Sequence, residues 1–210
     1  MLPFRPFSSL APTLAAAALV FGLAAPAMAQ AGFSEGYQLL EAVKKKDGNK
    51  VTDLLAKGGP NLINHKDKTT GQTALHIATE RQEKDWMSYL LAKGANVNAR
   101  DFKGATPLVV AANMNYSEGV DLLLARGARV DESSDTGETP LITAVHNRNI
   151  GMMRALLKAG ADADRADNSG RTARDYAKLD SKGTSLLAEI EANAKPKNPA
   201  GKPKSYGPVL

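Results

Sequence analysis

A pair of leucines followed three residues later by a glycine occurs four times in this chain of 210 residues. The copies are Leu54-Leu55 with Gly58, Leu90-Leu91 with Gly94, Leu123-Leu124 with Gly127 and Leu156-Leu157 with Gly160. Successive leucine pairs are separated by 36, 33 and 33 residues. A pattern that recurs at such a period predicts an array of stacked units, in which each unit packs only against its neighbours.

The starts of the units repeat as well. The segment Gly-Ala-Thr-Pro-Leu at 104–108 recurs as Gly-Glu-Thr-Pro-Leu at 137–141 and, with one exchange, as Gly-Gln-Thr-Ala-Leu-His at 71–76. A further copy at 170–173 is followed by Arg174 in place of leucine. All five units carry a small residue at the equivalent place, namely Ala42, Ala78, Ala111, Ala144 and Ala177.

This period and these motifs resemble the ankyrin repeat family over about residues 33–193. The resemblance implies an all-α ankyrin-repeat solenoid of about five helix-turn-helix repeats, two of which are capping repeats. The ends of the array do differ from its middle. The first unit lacks the Thr-Pro-Leu start and carries Lys44-Lys45-Lys46, and the last has Arg174 and continues into Glu189 and Glu191. Because a terminal repeat faces solvent on one side, these units are predicted to be the caps.

The backbone chemistry of a single unit also predicts two helices joined by a turn. Pro107 suits the first turn of a helix, because it has no amide hydrogen to satisfy there and its φ is already helical. Ala111 leaves a helix face small enough for a neighbouring unit to approach, and Val120 and the leucine pair supply the apolar face of a second helix. Gly127 is predicted to end that helix in a left-handed conformation.

Two departures from the family pattern are expected to matter. The connection from Gly58 to Gly71 is about three residues longer than its counterparts and is predicted to bulge between units one and two. The glycine that the family places between the two helices is replaced by Gln82, Asn115 and Arg148. Because asparagine tolerates a left-handed backbone better than glutamine or arginine, strain is predicted in units two and four.

The first 29 residues differ in kind from the repeats. Arg5 precedes a short apolar run at 14–23, and Ala27-Met28-Ala29 fits a cleavage site with small residues. The pattern predicts a bacterial secretory signal at 1–29, followed by the repeat domain at 30–194, in a periplasmic or secreted protein. An uncleaved membrane anchor and an organellar transit peptide are the alternatives, and the run is short for a membrane span.

The charge of the repeats argues against a nucleic-acid groove. Of 27 basic residues, Arg5 lies in the leader and four lysines lie in the tail, so the remaining 22 balance the 22 acidic residues. The tail at 195–210 mixes lysine and proline without periodicity and is predicted to be disordered, as a solubilising end or a weak contact to anionic surfaces. The chain has no cysteine, so it can form no disulfide and carries no lipid-accepting cysteine.

Candidate chemistry is sparse, and no cofactor or metal site is predicted. His65, His76 and His146 are scattered and form no metal-binding pair, and the acidic segment 131–135 lacks the glycine and terminal glutamate of a calcium loop. The family places a histidine at position 76 next to Thr73 to hold the turn, which favours a structural role over catalysis. Trp86 and the second-helix methionines are interpreted as core side chains rather than a cofactor site, with Trp86 partly exposed.

Because no chemical site is predicted, the surface of the repeats is the remaining candidate for function. In the family, turn tips and exposed first-helix residues line up into one concave strip that holds protein partners. We call this surface the concave strip. Carried over by position, it contains Thr70, Gln72, Glu80, Arg81, Arg100, Phe102, Lys103, Asn113, Met114, Asp135, Thr136, Glu138, His146 and Asn147. Phe102 and Met114 are the candidate anchors, although isolated exposed apolar residues are common.

The resulting hypothesis is a monomeric, non-enzymatic, exported protein that binds a protein partner, with no nucleic acid and no stable membrane insertion after cleavage of the signal. Two alternatives remain open at this point. One is a protective or chaperone-like accessory subunit of an exported enzyme, which would co-purify in fixed stoichiometry. The other is a secreted effector, which would be found in the culture medium. Turnover that depended on His76 or His146 would favour an enzyme instead.

Overall fold

A computed structural model describes residues 34–180 and 184–194, so the predicted leader and the predicted tail lie outside the described residues. Within those ranges the chain forms ten α-helices and no strand. They come as five helix-turn-helix pairs. In chain order the helices are α1 (Glu35–Lys44), α2 (Gly48–Lys57), α3 (Ala74–Glu80), α4 (Lys84–Ala92), α5 (Pro107–Asn113), α6 (Ser117–Ala125), α7 (Pro140–His146), α8 (Ile150–Lys158), α9 (Ala173–Leu179) and α10 (Thr184–Asn193).

The first helix of each inner unit begins as the sequence predicts. Pro107 and Pro140 are the first residues of α5 and α7, and the preceding threonines cap those helices. Thr106 Oγ1 accepts a hydrogen bond from Val109 N at 3.4 Å. An N-terminal hydroxyl cap of this kind satisfies a backbone N–H that has no partner within the helix, and losing it typically costs about 1 kcal/mol.

His76 has the structural role that the sequence predicts. Its side chain is fully buried, and its Nδ1 lies 2.9 Å from Thr73 Oγ1 and 3.2 Å from Thr73 N. On the other side of the ring, Nε2 lies 3.1 Å from the Ala105 carbonyl oxygen in the next unit. Burial lowers the pKa of His76, so the neutral imidazole is favoured. One side chain therefore caps α3 and joins two units.

The residue between the two helices of a unit is left-handed in four of the pairs. Gln82, Asn115 and Arg148 have φ values of 56°, 51° and 52°, so the glutamine and the arginine adopt the left-handed backbone for which strain is predicted. Lys46, for which no left-handed backbone is predicted, has φ 58° in the first pair. The turn geometry of the family is thus kept, although none of these positions carries the glycine that adopts it without a steric penalty.

Replacing Gln82 with glycine should raise the free energy of unfolding. The left-handed backbone costs a non-glycine residue about 1–2 kcal/mol, and the greater freedom of glycine in the unfolded chain takes back about 0.4–1 kcal/mol, so a net gain of about 0.5–1 kcal/mol is expected. Urea unfolding of the two proteins measures it. The same replacement at Asn115 is the matched control and should gain less, because asparagine tolerates this conformation. Equal gains at both positions would contradict the strain argument.

The helices stack in two rows. The first helices α1, α3, α5, α7 and α9 each pack against the next in the series, and so do the second helices α4, α6, α8 and α10. The five equivalent alanines are between 0 and 3% exposed, so the row of first helices closes over methyl groups. Met87, Met152 and Met153 are buried and Trp86 is half-buried, as expected for core side chains. None of the described helices is long and apolar enough to cross a membrane.

The long connection between units one and two folds into a 3₁₀ turn at Leu62–Asn64 that packs against α1 and buries Ile63. Gly58, which ends α2, is extended at φ −76°, whereas Gly94, Gly127 and Gly160 are left-handed at the equivalent place. The first unit therefore leaves its second helix by a different route from the others. Its α2 approaches α4 less closely than α4 approaches α6 or α6 approaches α8.

Ion pairs account for the charged residues by which the last unit departs from the repeat pattern. The Arg174 side chain is only 13% exposed, and it forms ion pairs with Asp164 at 3.1 Å and with Glu191. Glu189 accepts two hydrogen bonds from Arg154, at 2.7 and 2.6 Å. Charged side chains thus join α10 to α8 and α9, where the inner units use leucine. This arrangement fits a capping unit, whose outer side meets solvent.

Candidate functional site

The turn tips that precede the first helices are joined into one row by backbone hydrogen bonds. Each tip donates from one N–H to a carbonyl oxygen of the tip before it. The links run from Phe102 N to Thr70 O at 3.0 Å, from Asp135 N to Lys103 O at 2.9 Å and from Asn168 N to Thr136 O at 3.2 Å. Four successive tips therefore form a continuous backbone ledge, and their side chains are held in fixed register.

In most of the tips, an aspartate side chain of that tip fixes the backbone conformation through hydrogen bonds. Asp67 accepts hydrogen bonds from the backbone N–H groups of Thr69 and Thr70 and from the Thr69 hydroxyl. These bonds, with the Thr69 hydroxyl first, lower the pKa of Asp67 from 3.8 to about 2. Asp167 is held in the same way, and hydrogen bonds from Tyr176 and Ser169 place its pKa well below the usual range. Both carboxylates are thus charged at neutral pH, and they brace the backbone of the ledge.

Phe102 is the most prominent side chain on the ledge. It is 61% exposed, and its ring lies over Gly71 of the preceding tip, where an added methyl group would come within 2.6 Å of the ring. Gly71 also has φ 74°. Glycine is therefore required there, because a side chain would collide with the Phe102 ring and because the left-handed backbone disfavours other residues. The phenyl ring is thus supported from below by a neighbouring unit and open to solvent above. That combination gives a large apolar contact surface that loses little freedom on binding.

Met114 lies at the other edge of the same unit, immediately after α5, and is 42% exposed. Its carbonyl oxygen accepts a hydrogen bond from Gln82 Nε2 at 3.5 Å, which ties its backbone to the unit before. Asn113 beside it is also exposed. Phe102 and Met114 therefore mark the two ends of the exposed edge of one first helix and its tip.

Several of the predicted strip residues are engaged within the protein. Arg100 pairs with Glu132 and donates to the carbonyl oxygens of Gly104 and Ser133 at 2.9 and 3.0 Å. Glu132 also pairs with Arg129, at 3.3 Å. The acidic segment 131–135 is therefore a junction between units. Arg100 presents a guanidinium that is already oriented, with 44% of its side chain exposed.

The fourth unit adds a polar cluster to the concave strip. Glu138 Oε1 lies 3.0 Å from His146 Nδ1 and accepts a hydrogen bond from Thr143 at 3.1 Å. The His146 ring packs edge-on against Tyr176, with ring centres 4.4 Å apart. Asn147 donates to the Ala112 carbonyl oxygen of the previous unit at 3.2 Å. Thr143 and Tyr176 are not among the predicted strip residues, and they lie one 33-residue step from each other.

The fourteen predicted strip residues lie in the tips and in or next to the first helices. Gln72 and Glu138 are half-buried, and the others are exposed: Thr70, Glu80, Arg81, Arg100, Phe102, Lys103, Asn113, Met114, Asp135, Thr136, His146 and Asn147. Gln72 donates to Glu80 at 3.2 Å, and Arg81 pairs with Glu83 at 2.8 Å. Within residues 34–180 and 184–194, no group of three metal-ligating side chains comes together.

A helical repeat solenoid with an ordered row of tips defines a class of proteins built to present an extended surface. Comparison with known protein families identifies the family of repeats within that class. Residues 39–134 match a model of ankyrin repeats in three copies, and residues 128–177 match a model of ankyrin repeats in many copies. The chain belongs to the ankyrin repeat family, whose repeats are generally modules for protein–protein interaction.

Proposed function

We propose that this protein is a non-enzymatic, exported binding module that holds a protein partner on the concave strip. The observation that carries the proposal is the hydrogen-bonded ledge, because it holds an apolar ring, charged side chains and amides from three units in one register. A partner that meets this surface binds without having to order it first, which lowers the entropic cost of association.

The chemistry of the strip suits a folded protein surface of mixed polarity. Phe102 and Met114 supply apolar contacts in the middle unit, and charged groups of both signs flank them. Such a surface favours a partner that has an apolar pocket surrounded by polar groups, because buried aromatic anchors with a polar rim are typical of specific interfaces.

Affinity capture from the periplasmic fraction of the native cells, followed by mass spectrometry, tests the proposal. The bait is the tagged mature protein, and parallel baits carry Phe102→Ala/Met114→Ala on the strip or Lys158→Ala/Arg126→Ala on exposed second-helix ends. A genuine partner should be captured by the wild type and by the second-helix variant, and lost with the strip variant. A partner lost with the second-helix variant and kept with the strip variant would place the binding site on the opposite face.

Export is the second part of the proposal, and it predicts a specific mass. Signal peptidase should cut after Ala29, because small residues at Ala27 and Ala29 follow a short apolar run. The mature protein should therefore begin at Gln30. Intact mass spectrometry of the protein from the periplasm and from the culture medium measures the cleavage and separates a periplasmic protein from a secreted one. A chain that retained Met1 in the membrane fraction would contradict it.

A further inference from the structure

We propose that the open groove between α2 and α4 binds the lysine- and proline-rich segment 195–210 of the same chain. The groove lies on the second-helix side of the array, outside the concave strip. It encloses about 240 Å³ and is lined by Gly48 and Thr52 of α2 and by Asp85, Trp86 and Tyr89 of α4. That volume is below the range of pockets for drug-sized ligands, and it suits one or two side chains of a peptide.

The groove lies between the two units that the long connection joins. The 3₁₀ turn at Leu62–Asn64 takes up the extra residues against α1, and α2 approaches α4 less closely than the later second helices approach one another. Trp86 reaches across this gap until its ring is 4.0 Å from a methyl group placed on Gly48. At the Trp86 position the next two second helices carry Gly119 and Met152, so the aromatic lining is particular to this gap.

The lining has the geometry of a site for a cation beside proline. The Trp86 and Tyr89 rings are nearly perpendicular, at 87°, with centres 5.9 Å apart, so they form two walls of a corner. Both residues remain half-buried, and the Tyr89 hydroxyl lies 3.2 Å from Thr52 Oγ1. Lys93 Nζ already lies 5.7 Å from the centre of the Tyr89 ring, which shows that an ammonium group can rest against this ring.

The charge of the lining selects a basic occupant. Asp85 is the charged residue among the lining side chains, and its exposed carboxylate has no ion-pair partner among the described residues. An ammonium group in the corner would meet two aromatic faces and a carboxylate together. Proline-rich segments dock in aromatic-lined grooves, because their extended helix loses little conformational freedom on binding.

Segment 195–210 has the matching chemistry. It contains four lysines, four prolines and no acidic residue. The groove lies between the first and second units and α10 lies in the fifth, so three to four steps of about 10 Å separate them. A polyproline helix rises about 3.1 Å per residue and a fully extended chain at most about 3.6 Å, so Lys202 lies at most about 29 Å from Ala194 and Lys204 at most about 36 Å. Lys204 and the side chain of Lys202 are therefore the basic groups of the segment that can approach the groove. Lys195 and Lys197 are too close to α10 to reach the groove.

The fluorescence of Trp86 tests the proposal in the full-length mature protein, because Trp86 is the one tryptophan in the sequence. A tethered segment is present at an effective concentration on the order of 1 mM, so even a millimolar site is half occupied. Breaking the contact with Lys202→Glu/Lys204→Glu should therefore raise the acrylamide quenching constant of Trp86 about twofold. The matched control Lys195→Glu/Lys197→Glu makes the same change of charge and should leave quenching as in the wild type.

Asp85→Asn tests the other side of the same contact. It should also raise the quenching constant, and adding it to the Lys202→Glu/Lys204→Glu variant should give no further increase. Urea unfolding of each variant checks that the repeats remain folded. Equal quenching in the wild type and in the Lys202→Glu/Lys204→Glu variant would overturn the proposal, and so would additive effects of the two changes. A signal that grew with protein concentration would assign the groove to a second copy and overturn binding within one chain.

Discussion

Replacing Ala111 with leucine should lower the free energy of unfolding by about 1–3 kcal/mol, because extra methylene groups in a closely packed core force side chains and backbone to move. Ala111 is fully buried in α5, which packs against α3, α6 and α7. No surface is open to the longer side chain. In a solenoid, stability is the sum of unit and interface contributions, so a change at the middle of the array weakens the coupling between units.

Urea unfolding followed by circular dichroism measures this loss, and Ala125→Leu is the matched control. Ala125 ends α6 and is exposed, so the same chemical change there should alter the free energy of unfolding by less than about 0.5 kcal/mol. A separation of the transition into two steps in the Ala111→Leu variant would agree with loosened coupling. An unfolding curve that matches the wild type would show that the equivalent alanines do not set the distance between first helices.

Local sequence signals predicted the features that recur in every unit. Threonine before proline predicted the helix starts, and the equivalent alanines predicted the close approach of the first helices. Position 76 in its repeat predicted the capping role of His76, which the structure confirms with the Thr73 and Ala105 contacts. These features depend on backbone geometry and on the size of a side chain within one unit. Because these features recur in successive units at the period of the array, one sequence contains several examples of each feature.

Contacts between units were harder to predict, because they join residues that do not repeat. Arg148 forms two hydrogen bonds with Asp180, at 2.6 and 3.0 Å, and Arg154 does the same with Glu189. The partners are 32 and 35 residues apart, close to the period of the array. Opposite charges at that spacing were therefore an available signal. Which rotamers meet depends on the spacing of the helices, and the sequence does not specify that spacing.

The groove between α2 and α4 could not be predicted from the sequence. The longer connection after Gly58 was evident, and a bulge was predicted there. Its extra residues form a 3₁₀ turn that buries Ile63, and an aromatic-lined gap lies between α2 and α4 of the units that the connection joins. The longer connection and the wider spacing of α2 and α4 thus occur at the same junction between units. Trp86, interpreted as a core side chain with partial exposure, is half-buried at the edge of that gap.

Replacing Phe102 and Met114 together with alanine should weaken binding of the partner by about 2 kcal/mol or more, which corresponds to roughly a thirtyfold rise in Kd. Phe102 is expected to carry most of the loss, because its ring is both exposed and supported over Gly71. The fold should be retained, since both side chains are exposed. Isothermal titration of the captured partner measures Kd for the double variant and for each single variant.

Lys158→Ala/Arg126→Ala is the control, because these exposed residues end α8 and follow α6 on the second-helix side. Exposed charges outside an interface contribute little, so its Kd should stay within about a factor of two of the wild type. Circular dichroism and urea unfolding of the Phe102→Ala/Met114→Ala protein exclude a loss of fold as the cause of weaker binding. If that protein is folded and binds the partner as tightly as the wild type does, Phe102 and Met114 are exposed without being anchors, and the partner contacts other residues.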